Sequence, residues 1–162
     1  DQDRSEFAGP LALGWSRMRW SSQPLLAGIK HLNRLEQVLA ANEARDSGLD
    51  DVLVLDQQGH VSSLSAGNVF IYESGRLLTP ALETCGIAGT RRRLIMESIG
   101  PALGFEVLQT HIHPEQVLAA DALICCNSIR GVQAVAHLDD STWTDFSLAE
   151  ALHRQYMEAC LC

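Results

Sequence analysis

The order of apolar and polar positions divides the chain into many short alternating segments and a few helical ones. Over residues 11–20, Leu11, Leu13 and Trp15 fall on one side of an extended segment, and Met18 and Trp20 on the other. The alternation therefore changes faces within one strand and predicts a slight irregularity at Gly14. Gln23-Pro24 breaks the strand. From His31 to about Arg45, Leu32, Leu35, Val38 and Leu39 recur at helical spacing, with Gly48 as a stop, which puts Lys30 at the mouth of a helix. Val52 to Leu55 followed by Asp56-Gln57-Gln58-Gly59 reads as a strand entering a hairpin, and Asn68 to Tyr72 and Leu77 to Thr79 flank a second turn at Ser74-Gly75. After Gly89 the pattern turns helical through Leu94, Ile95, Ile99 and Leu103, weakened in the middle by Gly100-Pro101. Phe105 to His111, Ala122 to Cys126 and Val132 to Ala136 read as further strands, and Phe146 to Cys160 as a closing helix. The expected class is α/β (α+β), with strands predominating.

Composition narrows the function classes. A chain of 162 residues that is 46% hydrophobic can bury one real core. Its formal charge of −8 and single basic run, Arg91-Arg92-Arg93, argue against a nucleic-acid surface, which needs a clustered cationic face. No apolar stretch approaches a membrane span and no secretory pattern opens the chain, so a cytoplasmic protein without membrane contact is expected. The five cysteines form no CxxC pair and read as buried free thiols. The polar opening, without an initiator methionine, predicts a disordered or linker remnant over residues 1–10 and a fragment or processed chain.

Candidate chemistry begins with Lys30, the only lysine among 12 basic Lys and Arg residues. Either cation can serve on a surface, but only lysine loses its proton and forms an imine with a carbonyl. Gly86-Ile87-Ala88-Gly89-Thr90-Arg91 puts a glycine-rich turn before a helix, where free N–H groups and the macrodipole favour an anion. Arginines in that first turn are electrostatically misplaced unless an anion is bound there, they extend into solvent, or they pair with acidic neighbours. Asn127-Ser128 follows an apolar strand, as ligand groups at strand ends and ordinary turns both do. His111-x-His113 offers two imidazoles, too few for a zinc site, so no metal is expected.

These pieces together resemble the class IV pyridoxal-phosphate enzymes. The run Gln23-Pro-Leu-Leu-Ala-Gly-Ile-Lys30-His-Leu-Asn-Arg-Leu-Glu-Gln-Val-Leu39 is similar to the cofactor-lysine segment of the aminodeoxychorismate lyases within that family. Leu53-Val-Leu-Asp56, Gly59-His-Val61, Asn68-Val-Phe70, Leu78-Thr-Pro80, Cys85-Gly-Ile-Ala-Gly89, and Ala120-Asp121 through Asn127-Ser128 follow in the family's order. The resemblance covers roughly residues 11 to 138. It implies pyridoxal 5'-phosphate as cofactor, Lys30 as the Schiff-base residue and proton carrier, and Thr90, Arg91 and Ser128 as phosphate ligands. It places Asn127, Ile129 and Arg130 on the substrate side and implies a homodimer acting on a small molecule. The expected fold is the family's C-terminal domain over residues 11–162, a largely β-sheet core or barrel flanked by helices, with the N-terminal domain absent from this chain. The implied reaction converts 4-amino-4-deoxychorismate to 4-aminobenzoate and pyruvate in folate biosynthesis. A class IV aminotransferase of small amino acids and a degenerate, non-catalytic domain are the rival expectations.

Two positions depart from the family's pattern. Ser63 stands where family members usually carry a glutamate against the ring nitrogen, and a hydroxyl supplies a hydrogen bond but no charge. Arg130 stands where an apolar residue is common, which changes the expected fit to substrate.

Overall fold

In the computed structural model, the described residues are Phe7 and 9–161, with side chains described through Ala159. The expected linker over residues 1–10 thus falls largely outside the described residues. Nine strands are described. They are β1 (Leu11–Arg19), β2 (Asp51–Leu55), β3 (Val61–Leu64), β4 (Asn68–Glu73), β5 (Arg76–Pro80), β6 (Glu106–Thr110), β7 (Ala122–Asn127), β8 (Gly131–Leu138) and β9 (Ser141–Thr142). They form one sheet in the order β3-β2-β1-β8-β7-β4-β5-β6, with β9 on β8. The two end strands meet where the Val61 N–H donates to the Ile112 carbonyl at 2.8 Å, so the sheet curls almost into a ring.

Alternation fills both faces. Leu13, Leu53, Val69, Ile71, Leu123 and Val135 point into the ring, and their neighbours Val52, Val54, Phe70, Ile124 and Ala134 point out to the helices. β1 changes faces, as its sequence predicts, but its register against β2 slips between Trp15 and Arg19 rather than at Gly14. After the slip Met18 and Trp20 pack outside, with Ala40 and Ala44 of helix α1 (Leu35–Asp46).

Parallel neighbours require a crossover, and the helices supply two of them. α1 connects β1 to β2, which run parallel. Between the parallel strands β5 and β6 run α2 (Thr90–Leu94), a π turn (Ile95–Ile99) and α3 (Gly100–Ala102). The π turn widens the coil just before Pro101, whose ring would otherwise meet the preceding turn. The short α4 (Pro114–Ala119) is an addition to the sequence reading. The Gln116 side-chain oxygen accepts the His113 N–H at 3.0 Å, and Pro114 opens the helix where no N–H is needed. α5 (Ser147–Leu161) covers the outer face of β8 with Ala149, Leu152 and Tyr156.

Candidate functional site

Lys30 lies in an irregular stretch four residues before the last residue preceding α1 rather than at a helix mouth. Gly28 forms a parallel bridge with Ile87, donating its N–H to the Gly86 carbonyl and accepting from the Ala88 N–H, both at 3.0 Å. That pairing ties down the backbone just before the lysine, and α1 starts only at Leu35, with Arg34 giving no side-chain cap. The Lys30 side chain is exposed. Around it the apolar residues also face outward: Leu25 is 85% exposed, Leu32 100% and Leu35 65%. A cleft of about 350 Å³ runs under this segment, walled by Trp20, Ala27, His31, Glu36, Cys85 and Gly86. Within this region His31 Nδ1 and Gln37 Oε1 are buried without hydrogen-bond partners.

The stretch bridged to the lysine segment runs directly into α2. Asn68, buried at the start of β4, donates from Nδ2 to the Ile87 carbonyl at 2.8 Å. A Cβ on Gly89 would collide with Asn68 Oδ1, so this approach requires glycine. Gly89 is also the helix cap and offers no side-chain acceptor, which leaves the first N–H groups of α2 uncapped. Three arginines share that end, and among the described residues neither Arg91 nor Arg92 has a carboxylate partner. Arg92, only 5% exposed, donates to Thr79 Oγ1 at 3.2 Å, the Pro80 carbonyl at 2.8 Å and Gln109 Oε1 at 2.7 Å, all neutral acceptors. Burial lowers its pKa. Arg91 places its guanidinium 4.7 Å from the centre of the Tyr156 ring, with Nε buried and without a partner. Arg93 is exposed.

The end of β7, which leads into the turn before β8, is tied to the same approach to α2. Asn68 is the register partner of Cys126, so one residue ties Ile87 to the end of β7. Burial pushes the Cys126 thiol up to about 12, against the opposing pull of the nearby Arg92 and Arg91 charges. Asn127 uses its Oδ1 to accept the Ile129 and Arg130 N–H groups at 2.9 and 2.7 Å, and its Nδ2 donates to the Ala66 carbonyl at 3.2 Å. Its carboxamide shapes its own turn. Ser128, Ile129 and Arg130 are exposed at the tip, Ile129 by 73%.

Ser63 occupies a different setting. It is buried, accepts the Trp20 Nε1–H at 2.9 Å and donates to the Leu64 carbonyl at 3.0 Å. Its one proton is committed, so the hydroxyl has only acceptor capacity left. Ser62 lies beside it, 3.4 Å from Cys85 Sγ. The structure thus links Lys30's segment to the approach to α2 through Gly28 and Ile87, links that approach to the end of β7 through Asn68, and gives Ser63 to Trp20. Sequence reasoning missed Asn68, Trp20 and Tyr156, because nothing local distinguishes them from strand and helix residues. His111 and His113 gain a third ring: His60 lies 4.6 Å from His111 and 4.9 Å from His113, centroid to centroid. Among the described residues no cluster has the makings of a metal site.

An uncapped helix start beside a lysine-bearing segment suits an anionic, carbonyl-bearing ligand. Comparison with known proteins points the same way. The model of the amino-transferase class IV family matches residues 2–138. The aminodeoxychorismate lyase of Vibrio harveyi is 37% identical over 124 residues, covering 76% of this chain and 45% of that protein. The crystal structure of 4-amino-4-deoxychorismate lyase from Pseudomonas aeruginosa superposes with a TM-score of 0.86 at 35% identity, over 92% of this chain and 55% of that one. A branched-chain aminotransferase from Thermoproteus uzoniensis shares the fold, with a TM-score of 0.88 at 24% identity over 94% of this chain and 52% of that one. The chain thus spans about half the length of such relatives.

Proposed function

The chain belongs to the class IV aminotransferase family, and from that premise we propose that it is the cofactor-lysine part of an aminodeoxychorismate lyase. The family is dependent on pyridoxal phosphate, and solved neighbours carry that cofactor. What supports the reading here is the pairing of Gly28 with Ile87, which sets the lysine's segment against an uncapped, arginine-bearing helix start. The residues fit the phosphate end of the group: Gly89 gives the helix start no side-chain acceptor, and Thr90 and Arg91 offer N–H groups. Ser128 on the turn before β8 is the proposed hydroxyl ligand. Ser63 fits the ring-nitrogen end only as an acceptor.

When bound, the cofactor withdraws electrons from the carbon that bears the substrate's amine. Lys30 Nζ then takes the proton from C4 of aminodeoxychorismate and delivers one to the departing enolpyruvyl group, giving 4-aminobenzoate and pyruvate. Asn127 orients the substrate-side turn, and Ile129 and Arg130 at its tip offer an apolar contact and a cation. The proposal includes a cytoplasmic setting in folate synthesis and a homodimer. The outward-facing Leu25, Leu32 and Leu35 support a covering partner for the lysine segment. No described helix is long and apolar enough to cross a membrane.

Borohydride trapping tests the lysine. Incubation with pyridoxal phosphate and reduction should place one pyridoxyl label on Lys30, read by peptide mass, and label elsewhere or none overturns the assignment. In the complete enzyme, pyruvate and 4-aminobenzoate should appear without an added amino acceptor. Amino transfer that depends on a keto acid would favour the aminotransferase instead, and label at Lys30 without either activity would favour a degenerate domain.

A further inference from the structure

Tyr156 lies on α5, beyond the stretch matched by the family model, yet touches both halves of the proposed phosphate cradle. Its ring lies under the Arg91 guanidinium at 4.7 Å, in the first turn of α2. It also abuts Gly131, the residue that closes the turn bearing Ser128. Gly131 has φ +74°, and a Cβ there would stand 3.1 Å from Tyr156 Cε1. Ring and turn are in close contact there. His153, one helical turn earlier, approaches the same glycine, with Nδ1 3.6 Å from where that Cβ would be.

We propose that Tyr156 is a positioning residue that sets the separation between the Thr90–Arg91 amides and the Ser128 hydroxyl, and so governs how tightly the phosphate group of a ligand is held. The inference rests on the cofactor reading above. Three observations carry it. The α2 start lacks a side-chain cap, so its N–H groups are aimed by backbone placement alone. Arg91 has no carboxylate partner among the described residues, and its side chain is anchored on the aromatic face, with Nε buried and unpaired. The turn is shaped by Asn127 internally but meets α5 at Gly131. Moving the ring shifts both components at once.

Comparing pyridoxal phosphate with pyridoxal, which lacks the phosphate, isolates the effect. Affinities are read from the ligand dependence of borohydride trapping at Lys30, with thermal melting as a check on folding. Tyr156→Leu should weaken pyridoxal phosphate roughly tenfold, within the range of a partly desolvated cation–π contact, and leave pyridoxal unchanged. Tyr156→Phe retains the ring and should retain the preference. Equal weakening of both ligands, or an undiminished phosphate preference in Tyr156→Leu, overturns the role of Tyr156. A wild-type chain with no preference for the phosphorylated ligand overturns the cofactor reading and the inference together.

Discussion

The ring interior and the lysine segment are both rich in leucine, and they use it in opposite ways. Inside the ring Leu13, Leu53 and Leu138 are at most 1% exposed, held by neighbours from across the sheet. From Leu25 to Leu39 the apolar side chains face out, and α1 buries only its small residues, Ala40 and Ala44. The difference teaches that an apolar pattern states a need for cover without saying where the cover comes from. The strands meet that need within this chain. The lysine segment leaves it open.

Substitutions should separate the two regions sharply. Leu53→Ala opens a cavity in the ring and should cost about 2–5 kcal/mol in denaturant unfolding, whereas Leu32→Ala should stay within about 0.5 kcal/mol. Comparable losses at the two positions would mean that the lysine segment is packed after all. A smaller effect is expected at the seam between the regions, where Trp20 meets Ser63. Ser63→Ala strands a buried indole N–H and should cost about 1–3 kcal/mol, with a shift in tryptophan emission. Combined with Trp20→Phe it should cost less than the sum of the two single losses, and simple additivity would show that the hydrogen bond contributes nothing.

The smallest effect is expected where α1 is tied to β1. Glu43 accepts from Ser16 Oγ at 2.6 Å and from the Arg17 amide and Nε, each at 3.0 Å. Desolvation raises its pKa, but those bonds and the Arg17 charge outweigh it and hold the carboxyl below its ordinary value. Its stabilising contribution is therefore complete above the ordinary carboxylate range and fades as pH falls through the folded-state value. Glu43→Gln should flatten that part of the acid limb of stability against pH. An unchanged limb would assign the acid sensitivity elsewhere.

Much of the fold was legible because its signals are local. Asp56-Gln57-Gln58-Gly59 and Ser74-Gly75 mark turns, and alternation places Phe70 outside and Ile71 inside without reference to the rest of the chain. α4 carried a readable signal in His113-Pro114 and Gln116, which the strand-like run before it obscured. The start of α1 was misplaced because the bridge at Gly28 and the absence of a cap at Arg34 are not properties of helical spacing. The candidate site was legible as motifs but not as a constellation. Asn68 joins Ile87 to the end of β7, and Tyr156 joins Arg91 to Gly131, across separations that no periodicity encodes.

The pairing of β1 also bears on how the chain acquires its shape. Leu11, at the first strand, has its register partner at Val135 in β8, and β1 lies between β2 and β8 in the middle of the sheet. During synthesis this strand must wait, with Leu11 and Leu13 still unpaired on one side, until nearly the whole described chain has emerged. Such long-range parallel pairing is slow to form, because a large loop must close before any contact rewards it. The interval before β8 arrives is the period in which a nascent chain of this design is most open to chaperones and to self-association.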